Sequence, residues 1–135
     1  MKNVDVARSL LNQSSRRLET ARRELKEGSL AYSIRSSQEA VELALKAALR
    51  LLGIEYPKKH DVSSVLIKFR ERFPAWFPAD RLAETSIKLA EKREPAMYGD
   101  ELSMTPADLV FERSEFEMAE QTYMYVEKLF AEYSD

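Results

Sequence analysis

Arg93 and Tyr98 are the residues whose types and spacing point most directly to chemistry. An arginine offers a permanent cation with a planar fork of donors, which suits a phosphate. Pro95 lies between the two and disfavours helix at Glu94. The helix carrying Arg93 is therefore expected to end or kink there, and the turn that follows to present Tyr98. A guanidinium beside a phenol could grip a phosphate or stabilise a developing negative charge. A turn-stabilising hydrogen bond is the plainer explanation of the same pair.

His60 is the only histidine, and there is no cysteine. A transition-metal site would rest on one imidazole plus carboxylates, so no metal is expected. Ser63 and Ser64 stand too close to His60 in sequence to suggest a nucleophilic triad. His60 is expected in the turn before the third helix, hydrogen-bonded to a carboxylate such as Glu39 or Glu42. Those two acids and Lys46 fall on one side of a helix, spaced by three, four and seven residues. Paired carboxylates can do acid–base work, yet a polar strip between helices explains them more simply. Arg16-Arg17 and Arg22-Arg23 could form a basic ridge, but among neighbouring acids they read as a solvated face. No window holds the glycines of a phosphate loop, and no cofactor is expected.

The elements that must position these residues are helices. Leu30 to Gly53 is apolar along two stripes. Ile34, Val41, Leu45, Ala48 and Leu52 make one; Ala40, Leu43, Ala47 and Leu51 make the other. A surface helix needs one such stripe, so this one is expected at the centre of a bundle. Before it, a helix from about Asn3 to Glu27 carries a seam of Val4, Ala7, Leu11, Ser14, Leu18, Ala21 and Leu25. Gly28 ends that helix, and Ser29 can cap the next. The short link makes the two an antiparallel pair.

Gly53 ends the central helix, and Pro57 prevents its continuation. Asp61 is a good cap for a third helix with Val62, Val65, Leu66, Phe69 and Phe73 turned inward. Phe73 to Pro78 reads as a tight apolar connection, with Trp76 as a packed lid. A fourth helix is expected from about Ala79 to Arg93, with Leu82, Ser86, Leu89 and Ala90 inward. Ala96 to Met104 reads as a turn. Thr105, Pro106 and Asp108 start the last helix, which runs to about Glu132. It too has two stripes: Phe111, Met118, Tyr125 and Leu129, and Phe116, Ala119, Tyr123, Val126, Phe130 and Tyr133. The second either fills a wide core or meets another subunit.

The chain of 135 residues fits one domain, 1–135, large enough to bury a core. Its 21 basic and 23 acidic residues leave a formal net charge of −2. That balance supplies no field that would by itself hold a nucleic acid, DNA included, or an anionic membrane, so any nucleic-acid binding needs a local basic patch. No stretch approaches the roughly 20 apolar residues of a membrane span. The first residues lack the apolar run of a signal peptide. With no cysteine, a cytoplasmic location is expected.

Residues Ser29 to Val65 contain AYSIRSSQEAVELALKAALRLLG and then EYPKKHDV. A helix rich in small residues with EA-x5-KA, a glycine stop, then proline and His-Asp, resembles the HEPN family (higher eukaryotes and prokaryotes nucleotide-binding domain). The resemblance implies an all-α, five-helix up-and-down bundle, usually a homodimer. It implies association with a nucleotide, RNA or a small nucleotidyltransferase partner, often in a toxin–antitoxin module. Many members are metal-independent ribonucleases, which use an arginine and, after four to six variable residues, a histidine, joined across a dimer. Here that arginine matches Arg93, and Tyr98 stands where the histidine would be. No arginine precedes His60 at that spacing, Arg50 being too far. An unperturbed tyrosine has a pKa of about 10, a poor base at neutral pH. The resemblance therefore implies binding through Arg93, Tyr98 and His60 rather than catalysis. Two alternatives stand beside it: an endoribonuclease using Arg93 and Tyr98, and a structural helical dimer without ligand.

Overall fold

The computed structural model describes residues 3–98 and 113–133, the side chains of 95–98 excepted. The expected start of the last helix at Thr105-Pro106, most of the turn before it, and Phe111 lie outside them. Among the described residues the elements are all helical: α1 (Asn3–Lys26), α2 (Leu30–Leu51), α3 (Ser63–Lys68), a 3-10 turn at Arg70–Arg72, α4 (Ala79–Tyr98) and α5 (Ser114–Tyr133).

The centre of the bundle is α2, packed against α1, α4 and α5. Its buried residues come from both stripes: Ile34, Val41, Leu45 and Ala48, and Ala40 and Ala47. Leu43, Leu51 and Leu52 are only half-buried. Leu45 and Leu49 are fully enclosed, and each contributes about 2 kcal/mol by leaving water. Small residues at positions 40, 44, 47 and 48 leave room for neighbouring backbones.

Serines join α1 to α2. Ser14, the polar break in the first seam, donates from Oγ to the Ala40 carbonyl at 2.6 Å. Ser33 donates to the Ala21 carbonyl at 2.8 Å. These pairs run in opposite directions along the two helices, so the helices are antiparallel. Gly28 and Gly53 take φ of +80° and +72°. Each closes its helix with the paired bonds of a Schellman stop: Ser29 N to Glu24 O and Gly28 N to Leu25 O, then Ile54 N to Leu49 O and Gly53 N to Arg50 O.

Some local expectations change. Ser29 occupies the cap position of α2 but makes no side-chain cap bond; its carbonyl accepts from Ser33 N instead. Pro95 does not end α4, which continues to Tyr98. Proline's fixed φ is helical, its missing donor interrupts one bond of the ladder, and Ala96 and Met97 favour helix. Of the two readings of the second stripe of α5, core or subunit contact, most of it takes the first: Phe116, Ala119, Val126 and Phe130 are buried within this chain, while Tyr133 is exposed.

Val62, not Asp61, takes the cap position of α3; Asp61 one residue earlier still accepts from Ser63 N at 2.9 Å and from Ser86 Oγ of α4 at 2.8 Å. Trp76 lies over α5, donating from its indole to Glu132 at 3.1 Å, with the Lys128 ammonium 4.3 Å from its ring centre.

Candidate functional site

Three elements bring nitrogen-bearing side chains to one cleft. Arg17 comes from α1, Arg93 from α4, and His60 from the connection between α2 and α3. With Gln13, Glu39, Glu42 and Leu43 they line a cavity of about 240 Å³. Leu43 falls here because its stripe on α2 is only half covered.

Glu42 ties the site together. Its Oε1 accepts from His60 Nδ1 at 2.8 Å and from Gln38 Nε2 at 3.0 Å. Its Oε2 accepts from Lys46 Nζ at 2.7 Å. Burial pushes the Glu42 carboxyl up, but the bonds from Lys46, Gln38 and His60, with the Lys46 charge, outweigh it and hold the group below the ordinary carboxylate range. An ionised carboxylate only accepts, so His60 Nδ1 carries the proton of this bond. In neutral His60 the lone pair therefore sits on Nε2. The sequence expectation for His60 offered Glu39 or Glu42, and the structure selects Glu42.

Gln38 also reaches the arginine. Arg93 Nη1 donates to Gln38 Oε1 at 2.7 Å. A continuous chain of polar contacts thus runs from Arg93 through Gln38 and Glu42 to His60. Sequence reasoning passed over Gln38. The signal was present: it follows Ile34 and precedes Val41 on the apolar stripe of α2, and a polar residue at a core register needs partners.

Arg93 and Tyr98 are not brought together as expected of a turn. Both positions are in α4, and five helical steps put them about 140° apart around its axis. The Tyr98 side chain lies outside the described residues. The two arginine pairs on α1 separate in role. Arg17 joins the cleft, whereas Arg22 binds Glu120 of α5 at 3.0 Å and sits over the Phe116 ring.

Larger surface clefts lie elsewhere. One of about 450 Å³ is lined by Arg81, Gln121, Met124, Tyr125 and Lys128. Neither it nor the cleft of about 630 Å³ along Arg70 to Arg81 contains a histidine or Arg93. Among the described residues no group of three or more His, Asp or Glu is placed to hold a metal ion. No helix among them is long and apolar enough to cross a membrane.

The model of the HEPN domain family matches residues 7–134. No curated protein and no solved structure matches the chain.

Proposed function

From the premise that the chain belongs to the HEPN domain family, whose role is nucleotide- and RNA-related, we propose that it binds RNA through a backbone phosphate at the Arg93 cleft without cleaving the strand. The observation that carries this reading is the convergence of Arg17, Arg93 and His60 on one cavity. Arginine forks fit phosphate oxygens. At about 240 Å³ the cleft is smaller than the roughly 300–1,000 Å³ of pockets that enclose a whole small molecule. It suits one phosphate and its sugar on a passing strand better than an enclosed free nucleotide.

Metal-independent RNA cleavage is the second reading. In its favour, Glu42 fixes the His60 ring and leaves Nε2 as the basic nitrogen, an arrangement suited to proton transfer. Against the version that uses Tyr98, positions 93 and 98 diverge around α4. Incubating wild type, Arg93→Ala, His60→Ala and Tyr98→His with mixed single-stranded RNA in EDTA separates the readings. Retention without cleavage by wild type, weakened by Arg93→Ala, supports binding. Cleavage by wild type that His60→Ala abolishes supports the second.

The proposal extends to a homodimer, to a small nucleotidyltransferase partner in a toxin–antitoxin setting, and to the cytoplasm. Exposed Met124 and Tyr133 on α5 and Tyr32 on α2 supply apolar surface for such contacts. The cysteine-free sequence suits a reducing compartment.

A further inference from the structure

Glu39 and Glu42 line the same cleft as Arg93 and Arg17. They are competitors for any phosphate. An arginine held by a carboxylate has its charge neutralised and its fork occupied. Gln38 stands between Arg93 and Glu42. It is 2% exposed, so its amide is aligned by the fold rather than by solvent. Its oxygen accepts from Arg93 at 2.7 Å, and its nitrogen donates to Glu42 at 3.0 Å. Only one orientation of the amide satisfies a cation on one side and a carboxylate on the other.

The geometry points to Gln38 as the positioning residue that holds Arg93 for an RNA phosphodiester and keeps it from pairing with Glu42; this rests on the phosphate-binding reading above. Neutrality is the property that matters. A glutamate at this position has the same length and would also accept from Arg93. It would do so as an anion, satisfying the guanidinium inside the protein and setting a second carboxylate against Glu42. A methionine keeps the length and the neutrality but makes neither hydrogen bond. It leaves Arg93 charged but loosely held.

These two substitutions separate positioning from packing, because they order affinity and stability oppositely. The test uses anisotropy of a fluorescein-labelled uridine pentanucleotide at low salt in EDTA, with thermal melting of the same samples. Gln38→Glu should lose roughly tenfold or more in affinity, as Arg93→Ala does, and melt above Gln38→Met. Gln38→Met should bind only a few-fold more weakly than wild type, yet melt lowest. If affinity simply follows melting temperature, with Gln38→Met the weakest binder, Gln38 is a packing residue and the inference falls. Wild-type affinity in Gln38→Glu, alongside a loss in Arg93→Ala, also overturns it while leaving the phosphate site standing. If wild type and Arg93→Ala bind equally poorly, the phosphate site itself fails and takes this inference with it.

Discussion

Replacing His60 by alanine should cost less than about 1 kcal/mol of stability, because its ring is 56% exposed although it bonds Glu42. Chemical denaturation checks this, and a loss of several kcal/mol would assign His60 a larger structural role. Glu42 has a different dependence. It is 16% exposed, and hydrogen bonds outweigh burial to hold its carboxyl below the ordinary range. A carboxylate whose folded pKa is depressed stabilises the fold above its unfolded pKa. That contribution is lost as pH falls through the folded value. The cluster should therefore act fully at neutral pH and fade below about pH 4. Glu42→Gln should destabilise the protein at pH 7 and converge with wild type in acid. Urea titrations at the two pH values report this, and an equal gap at both would contradict it.

At the scale of the helices, Pro95→Ala should raise stability, by no more than the roughly 3 kcal/mol that an interior proline costs. The substitution restores a ladder donor within α4, and amide exchange over residues 94–98 should slow. Gly53→Ala should lower stability by about 1 kcal/mol, since φ is +72° there. That glycine stop, the two stripes of α2 and the seam of α1 were legible in the sequence because apolar periodicity and backbone permissiveness are local. The course of α4 past Pro95 was not. Proline's local preference says stop, while the residues around it tolerate one interrupted bond. The site was legible in part. Arg93 and His60 stand out by type, and Glu42 was one of two acids within reach of His60. Gln38 showed only as a polar residue at a core register of α2, and the place of Arg17 was hidden, because only the packing of α1 and α4 on α2 brings Arg17 and Arg93 to the same cleft.

For the whole molecule, the core accounts for the fold without a partner: Phe116, Val126, Leu129 and Phe130 of α5 are buried in this chain. The proposed homodimer draws instead on exposed Met124 and Tyr133. Light scattering at micromolar concentration should give about twice the 15.6 kDa chain mass; a monomer there would remove the dimer from the account. The net charge of −2 means that any attraction for RNA is local to the cleft. Binding should therefore fall with added salt with a shallow slope, reflecting few phosphate contacts. The central claim is that Arg93 holds an RNA phosphate and the strand survives. The most direct measurement follows binding and integrity of one labelled uridine oligonucleotide together, at low salt in EDTA, with wild type and Arg93→Ala. The account predicts an intact strand, bound by wild type and bound at least about tenfold more weakly by Arg93→Ala. Equal binding by the two proteins, or a strand cut by wild type, would contradict it.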